Sequence, residues 1–425
     1  MEEIEAARNR CQRVIENVQR LPRRTTISDS CCRTLLKLAF SELHFLSRFH
    51  PPPSLPLSVN IGHLEAVVHL LEQPFVTAVS RVCKPIPIKT NTKNVHVDIV
   101  CIVNKNPVWI IVSDRNPVYL SWNGCIKSRI ERILATARSS KIMKPSSILL
   151  FFSRGLPDFV FEKIKNEFGA FQVRLEFDFH CEELEGDWIN VLQRPYQDSI
   201  FLEIKVEDRS IRESVVDADS VDSVGPVVEE GDAKSNLEDN STFCCLISGM
   251  KSDGDVINFD TTALIALVSG ISNGCTDKLL ATPEIQLRQR FKGNFEFVIA
   301  QVLSEIKNPI HAELAGVICG KKGIICESVL AEFKELILLC GGPKEKLRAD
   351  KILKHLMFVP DSPSERMMCL PTTRKLALKN KVVFGTGDNW HAPTLTANTA
   401  FLRAVSQTGM SLLTIEHRPR ALTGD

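Results

Sequence analysis

The sequence has almost no net charge, no CxxC cysteine pair and no long apolar run. Its 52 basic and 51 acidic residues give a formal net charge of +1, so the chain as a whole has no electrostatic attraction to nucleic acid, and any such surface must be local. None of its 14 cysteines forms the CxxC pair that is typical of structural zinc sites, so we expect no zinc site in this chain.

No apolar run is long enough to cross a bilayer, so we predict no membrane partner. The first five residues, MEEIE, are acidic and are not followed by the apolar core of a secretory signal. Several cysteines lie inside apolar runs, and we interpret them as reduced core thiols: Cys101, Cys244, Cys245 and Cys340. These features predict a cytoplasmic or nuclear protein.

The chain does contain enough apolar sequence for two or three domains. Hydrophobic residues make up 44% and charged residues 24% of the 425 residues, as in soluble globular proteins. We predict an α/β protein in which residues 1–82 form a helical extension and residues 83–206 form a mixed sheet with flanking helices. In this second region, Val95–Val103 and Pro107–Val112 are predicted strands joined by a turn, and a helix is predicted at Ile126–Arg138.

Residues 207–240 separate this region from the rest of the chain. They include 11 acidic residues, 3 basic residues and no aromatic residue. A segment of this composition buries too little apolar surface to fold, so we predict a disordered acidic linker that is able to contact protein partners.

Residues 243–425 are predicted to form a second α/β domain with a parallel sheet. Its strands are predicted to include Phe243–Ser248, Val256–Phe259 and Val382–Phe384. The second of these runs into Asp260 and then into an apolar stretch at helical spacing. An acid at that point lies at the carboxyl edge of a parallel sheet, where open α/β folds bind ligands. The same aspartate is a favourable helix N-cap, and the two interpretations are compatible.

Two further acids and one amide in this half are candidates for the same site. On the helix predicted at Ser328–Cys340, Glu332 falls at the border of the apolar face, whereas Glu335 falls opposite that face, as solvated acids do. Asp388 follows the sequence Gly-Thr-Gly, which either lets the backbone approach a ligand or forms a turn. Asn398 follows another predicted strand and either completes the site or caps the next helix.

Together these positions resemble the PIN-like nuclease domains, in which a first strand ends in Asp-Thr or Asp-Ser and later acids come from separate segments. The resemblance covers residues 243–425 and implies a metal-dependent ribonuclease acting on RNA. Asp260, Glu332 and Asp388 would bind Mg²⁺ or Mn²⁺, and the metal would activate water and stabilise the phosphorane charge. Asn398 stands where this family usually has an acid, so it would be a neutral fourth group of the catalytic set and would weaken metal binding.

The first half resembles the PD-(D/E)XK nucleases over about residues 60–180. The resemblance rests on Asp98 in one predicted strand, on the polar end of the next strand, and on Glu65 as an acid from a preceding helix. Ser113 and Arg115 stand where this family has an acid and a lysine, and an arginine is a poor base because it stays protonated. We therefore interpret this half as a degenerate nuclease fold with a binding or scaffolding role. A polar edge of an unrelated α/β domain explains the same residues equally well.

The two halves in this order also resemble an uncharacterised eukaryotic family, a resemblance that implies no activity. Two functions of different classes are therefore open. The first is a PIN-like, metal-dependent ribonuclease, which the retained trio of carboxylates favours. The second is a non-catalytic scaffold that binds nucleic acid or protein through two nuclease-like folds, which the changes at Ser113, Arg115 and Asn398 favour.

Overall fold

A computed structural model describes residues 2–24, 26–48, 60–86, 95–122, 126–174, 196, 198–206, 241–251 and 254–425. The predicted acidic linker at 207–240 lies outside these residues. Within them, no helix combines the length and the apolar character needed to cross a bilayer.

The first half contains a mixed six-stranded sheet between two layers of helices. Its elements are α1 (Glu2–Arg24), α2 (Asp29–Ser47), α3 (Ile61–Leu71), β1 (Val76–Ile86), β2 (Val95–Val103), β3 (Asn106–Ser113), α4 (Lys127–Ser139), β4 (Ser147–Phe152), α5 (Asp158–Phe168), β5 (Phe171–Gln172) and β6 (Ile200–Lys205). The strand order is β1-β2-β3-β4-β6-β5, in which β3 and β4 run parallel and the other neighbours antiparallel. Helices α1 to α3 share a core with one face of the sheet, and α4 and α5 cover the other.

The predicted mixed sheet is confirmed, including the hairpin between β2 and β3. Asn104 and Lys105 both have positive φ angles, 49° and 66°, as a tight two-residue hairpin turn requires. The prediction that residues 1–82 are helical is wrong at its end, because β1 begins at Val76 and pairs with β2. Helices α1 to α3 are therefore one layer of this fold, since their apolar side chains pack on the sheet that β1 begins.

The second half contains a five-stranded sheet in which all neighbouring strands run parallel, as predicted. Its elements are α6 (Ser241–Ser248), β7 (Val256–Phe259), α7 (Thr261–Val268), α8 (Thr276–Ala281), α9 (Glu284–Phe291), α10 (Phe295–Lys307), α11 (Ile310–Ile318), β8 (Lys322–Cys326), α12 (Glu327–Cys340), α13 (Pro343–Leu353), β9 (Met357–Val359), α14 (Glu365–Met368), α15 (Leu378–Asn389), β10 (Thr394–Thr396), α16 (Thr399–Thr408) and β11 (Thr414–Glu416). The strand order is β11-β10-β7-β8-β9.

Strand β7 is the point at which the strand order reverses. The chain first adds β8 and β9 on one side of β7, and then adds β10 and β11 on the other side. In open parallel sheets such a reversal leaves a crevice beyond the carboxyl ends of the two strands that flank it, here β7 and β10. The predicted site residue Asp260 follows β7 at this switch point.

The strand predicted at Phe243–Ser248 is wrong, because these residues form helix α6. The buried side chains Phe243, Leu246 and Ile247 recur at helical spacing and pack into the main core of this half. Cys245 on the same helix is exposed, as is Cys340 at the end of α12, so the prediction of a core thiol is wrong for both. It is confirmed for Cys101, which is buried in β2.

The strand predicted at Val382–Phe384 is also wrong, because it lies inside helix α15. Val383 and Phe384 are buried against the sheet, and Gly387 one turn later allows a close approach. A Cβ atom at Gly387 would lie 2.3 Å from the Thr394 hydroxyl oxygen on β10. Gly387, one of the two glycines that suggested a loop, therefore serves the packing of α15 against the sheet.

The C-terminal residues are fixed to this half through a buried glutamate. Glu345 on α13 is 0% exposed and accepts hydrogen bonds from four backbone N–H groups. The donors are Gly270 and Thr423, both at 2.8 Å, Gly424 at 3.0 Å and Gly342 at 3.1 Å. The carboxylate thus joins the start of α13 to the loop after α7 and to the last residues of the chain.

The two halves are in direct contact. The Ser80 hydroxyl on β1 donates a buried hydrogen bond of 2.8 Å to the carbonyl of Gly409, which follows α16. Lys105 in the β2–β3 turn lies 2.6 Å from a carboxylate oxygen of Asp255, just before β7. Ile142 packs against the apolar cores of both halves. These contacts connect the first sheet to the second.

Candidate functional site

Asp260 occupies the switch point and is 5% exposed. Its Oδ1 accepts hydrogen bonds from the Thr262 hydroxyl at 2.7 Å and from the Ala263 backbone N–H at 2.8 Å, and its Oδ2 accepts one from the Thr396 hydroxyl. The bond from Ala263 makes Asp260 the N-cap of α7, as predicted. The bond from Thr396 joins β7 to β10, so the carboxylate also fastens the two strands that flank the crevice.

The two threonines extend this network toward α16. The Thr262 hydroxyl oxygen accepts a hydrogen bond from the backbone N–H of Ala397 at 2.8 Å, and the Thr396 hydroxyl oxygen accepts one from that of Asn398 at 2.9 Å. Burial raises the pKa of Asp260, and the hydrogen bonds from the two threonines and from the backbone only partly offset this effect. The carboxylate is therefore satisfied by hydrogen bonds but carries an uncompensated desolvation cost.

Glu332 lies at the border of the apolar face of α12 and is half-buried, as predicted, whereas Glu335 is exposed. Its Oε2 accepts a hydrogen bond of 2.8 Å from the hydroxyl of Thr261, the residue after Asp260. Its Oε1 lies 2.5 Å from the ammonium of Lys379 at the start of α15. The structure thus brings Glu332 to the same edge of the sheet as Asp260, where a lysine neutralises it.

Asp388 lies in the last turn of α15 and not at the end of a strand. Its Oδ2 accepts hydrogen bonds from the Ser364 hydroxyl at 2.5 Å and from Arg366 Nε at 2.8 Å, and its Oδ1 faces the second nitrogen of the same guanidinium. Asp388 follows Lys379 by nine residues, which is about 13 Å along the helix axis. Arg366 and Ser364 therefore hold Asp388 far along the helix from the end that contacts Glu332.

The three predicted metal ligands consequently do not form one cluster. Among the residues that the structure describes, no group of acids, histidines or cysteines with ligand atoms within 4.8 Å of one another contains Asp260, Glu332 and Asp388. Asp260 and Glu332 are linked by adjacent residues, whereas Asp388 belongs to a separate ion pair. The predicted convergence of all three carboxylates in one cleft is wrong for Asp388.

Asn398 is the N-cap of α16, which was one of its two predicted roles. Its side-chain oxygen accepts a hydrogen bond of 3.2 Å from the backbone N–H of Phe401. Its backbone N–H, and not its side-chain amide, is connected to Asp260 through the Thr396 hydroxyl. The amide is thus a cap whose position depends on the same threonine that fastens the carboxylate.

Asp361 is a further acid at this edge of the sheet that no sequence pattern marked. It follows β9, and its carboxylate accepts hydrogen bonds from both the backbone N–H, at 3.1 Å, and the hydroxyl of Ser328 at the start of α12. Burial acts to raise the pKa of Asp361, but the hydrogen bonds from Ser328 and from the Cys326 thiol together outweigh burial, so this pKa is lowered. The signal in the sequence was the short apolar run Met357–Val359 before Pro-Asp, which is too brief for a periodicity argument.

In the first half, a cavity of ≈ 300 Å³ opens beside the carboxyl ends of β3 and β4. Its polar lining consists of Ser113, Arg115, Arg129 and Arg132, and the remaining lining is aliphatic or aromatic. No carboxylate is present among the described residues that line it. Ser113 and Arg115 are the two positions at which the nuclease resemblance placed an acid and a lysine.

Asp98 and Glu65, the predicted acids of this half, and also Asp114 each contact charged or polar neighbours. As predicted, Asp98 lies on an interior strand of the sheet and Trp109 lies on the neighbouring strand β3. Asp114 accepts hydrogen bonds from the Ser153 hydroxyl at 2.7 Å and from Arg154 at 3.1 Å. Glu65 on α3 forms an ion pair with Arg10, whose Nε lies 2.8 Å away.

The fold and these sites define a mixed α/β protein with a polar edge on each of its two sheets. Residues 257–425 match the model of a family described as a protein of unknown function, DUF1308. The matched residues are less than half of the chain and run from β7 to its last residue. No solved structure matches the chain.

Proposed function

We propose that this protein binds single-stranded nucleic acid, foremost RNA, without cleaving it, and that it holds the phosphate backbone in the arginine-lined cavity of the first half. The observation that carries the proposal is the lining of this cavity. Arg115, Arg129 and Arg132 contribute three guanidinium groups, and Ser113 contributes a hydroxyl, beside an apolar wall.

Guanidinium groups suit a phosphate ligand because they stay protonated and present a planar set of donors that matches phosphate oxygens. The apolar wall, which includes Leu120 and Phe152, offers a surface for a sugar or a base. A volume of ≈ 300 Å³ is at the small end for ligand sites, so the cavity suits one exposed nucleotide of a single strand and not a duplex.

The absence of cleavage is supported by the chemistry of both polar edges. Ser113 supplies no negative charge for a metal ion, and Arg115 is a poor base. In the second half, Asp260 already accepts three hydrogen bonds, and Asp388 is neutralised by Arg366. These features favour the non-catalytic interpretation over the PIN-like ribonuclease, whose Mg²⁺ or Mn²⁺ would need a converging set of carboxylates.

The binding test uses fluorescently labelled single-stranded RNA and the full chain. The variant Arg115→Gln/Arg129→Gln/Arg132→Gln is compared with Arg13→Gln/Arg33→Gln/Arg138→Gln, which alters three exposed arginines elsewhere in this half. If each cavity arginine contacts one phosphate, the slope of log K against log salt should become shallower by about 2 in the first variant. The control variant should keep the slope of the wild type, because its cavity arginines are intact. Equal affinity and equal slopes for both triple variants would overturn the proposal.

The cleavage test uses the same RNA with Mn²⁺ and compares the wild type with Asp260→Asn. We expect neither protein to cut the RNA. Cleavage by the wild type that disappears in Asp260→Asn would establish the PIN-like ribonuclease in place of the binding function.

A further inference from the structure

We infer that His63, Cys83 and Asp98 form a binding site for one divalent transition-metal ion of the zinc class. The three residues come from three different elements, α3, β1 and β2. Each offers one ligand atom, and these nitrogen, sulfur and oxygen atoms all lie within 4.8 Å of one another. The inference rests on residues other than those that line the cavity, and it stands independently of nucleic-acid binding.

The distances suit a tetrahedral ion. Zinc bonds of about 2.0 to 2.3 Å place neighbouring ligand atoms about 3.3 to 3.7 Å apart. His63 Nε2 and Asp98 Oδ1 are 3.1 Å apart, so this pair already has nearly the required spacing. From the 4.8 Å limit, the Cys83 sulfur would move by roughly 1 to 1.5 Å to complete the set, which a change of its side-chain torsion can provide.

The strand pairing places Cys83 and Asp98 opposite each other. In the β1–β2 ladder, Val82 pairs with Ile99 and Lys84 pairs with Val97, so the intervening residues face one another. At this point Cys83 has φ 48°, a left-handed conformation that is uncommon for a residue with a side chain. Such local strain persists where the surrounding structure enforces it, and it clusters at functional sites.

Asp98, opposite Cys83, is held in place by the neighbouring strand β3. Its Oδ2 accepts a hydrogen bond of 2.8 Å from the backbone N–H of Val112 on β3, just beyond the last regular β2–β3 pair, Ile99 with Ile110. The side chain thus replaces a strand carbonyl as the acceptor. Oδ1 is left directed at His63, so the carboxylate is oriented before any ion binds.

The chemistry of the three groups selects the class of ion. A thiolate and an imidazole favour zinc and its transition-metal neighbours over Mg²⁺ or Ca²⁺, which prefer oxygen. Burial, and then the nearby Asp98 carboxylate, raise the pKa of Cys83 to about 12, so the thiol holds its proton when the site is empty. Metal binding would form the metal–sulfur bond and release this proton to solvent.

Three protein ligands leave the fourth position of a tetrahedral ion open to solvent. The site is reachable, because the His63 side chain is 32% exposed. The Arg129 guanidinium lies 3.7 Å from Asp98 Oδ2 and also lines the cavity, so it contacts a ligand of the proposed ion from the cavity side. A bound ion carrying one thiolate and one carboxylate would be electrically neutral, which keeps Arg129 compatible with it.

The test titrates the full, metal-stripped chain with Zn²⁺ in competition with a chromophoric chelator, in the absence of nucleic acid. His63→Gln and Cys83→Ser each remove one ligand. Their matched controls are His44→Gln and Cys245→Ser, which alter an exposed histidine and an exposed cysteine. Circular dichroism and thermal unfolding of the stripped proteins show whether each variant is folded.

We expect the wild type and both controls to bind one equivalent of Zn²⁺. Each ligand variant should bind it more than about 100-fold more weakly, because even outer-shell changes cost about 10- to 100-fold. With Co²⁺, the wild type and Cys245→Ser should show a thiolate-to-metal charge-transfer band that Cys83→Ser lacks. Absence of stoichiometric Zn²⁺ binding by the wild type, or equal affinity in folded His63→Gln and the wild type, would overturn the inference.

Discussion

Arg366 and Asp388 form a nearly buried ion pair that joins α14 to α15, with side chains 11% and 8% exposed. The pair is bidentate, and the Ser364 hydroxyl adds a third donor to the same carboxylate. An acid that the sequence nominated as a metal ligand is thus a structural anchor between two helices.

Removing one member of this pair should be costly. Asp388→Ala leaves the Arg366 guanidinium buried without its counter-charge, and we expect a loss of about 3–5 kcal/mol in the free energy of unfolding. Glu332→Gln breaks the more exposed Lys379 pair and should cost about 0–1 kcal/mol. Urea unfolding of both variants measures the difference. Near-native stability of Asp388→Ala would show that the pair contributes little and that Asp388 is available for another role.

The buried carboxylate at the switch point should give a distinctive pH dependence. The folded-state pKa of Asp260 lies above its ordinary value, so the folded state favours the protonated form, and the contribution of this group to stability falls as pH rises through the folded-state pKa. Asp260→Asn keeps the N-cap but cannot titrate. The stability of the wild type relative to Asp260→Asn should therefore decline from acidic pH toward neutral pH.

Urea unfolding of both proteins across this range provides the measurement. Asp260→Ala is the control for the cap, and it should lose about 1 kcal/mol or more relative to Asp260→Asn at every pH. A constant difference between the wild type and Asp260→Asn would mean that the pKa of Asp260 is not raised.

Substitutions at Asn398 distinguish its role as a helix cap from a role in a metal site. Asn398→Ala should cost about 1 kcal/mol, because the Phe401 N–H loses its acceptor, whereas Asn398→Asp should retain the cap. If Asn398 only caps α16, calorimetric Mn²⁺ titration should give the same result for Asn398→Asp and the wild type. Tighter Mn²⁺ binding by Asn398→Asp would instead support the PIN-like site, since affinity for hard cations rises with ligand charge.

Glu345 should be among the least replaceable acids of the second half. Glu345→Gln keeps the size of the side chain but replaces one acceptor oxygen with an NH₂ group, which faces backbone donors of the C-terminal residues or of the start of α13. We expect a loss of about 1–3 kcal/mol in unfolding free energy. The matched change at the exposed Glu335 should stay within about 0.5 kcal/mol of the wild type. Equal unfolding midpoints for the two variants would contradict this role.

Local patterns predicted part of this fold well. The β2–β3 hairpin, strand β7 with Asp260 at its end, and helices α4 and α12 all follow from periodicity and turn chemistry within a few residues. Short apolar runs misled in two places, at α6 and α15, because a run of four to eight residues suits a strand or a buried helix equally well. Strands β8 and β9 were missed for the same reason, and with them Asp361.

The relations that decide the candidate sites are not local. Arg366 and Asp388 lie 22 residues apart, and nothing in either segment marks the other as its partner. His63, Cys83 and Asp98 follow no spacing that a metal-binding pattern contains, because the β1–β2 ladder and the packing of α3 bring them together. Such contacts depend on strand register, which a single sequence does not specify beyond its hairpins.

The hydrogen bond between Ser80 and Gly409 suggests that the chain can be produced as two separate polypeptides that still associate. Because the two halves meet through a buried polar contact and shared apolar packing, a break of the chain between residues 206 and 241 need not separate them. Two polypeptides, 1–206 and 241–425, produced in the same cell should reassemble and elute together on size exclusion. Charge reversal at Lys105, which faces Asp255, should shift that equilibrium toward the separate pieces. The protein would then be a natural candidate for a split reporter, in which reassembly itself is the signal.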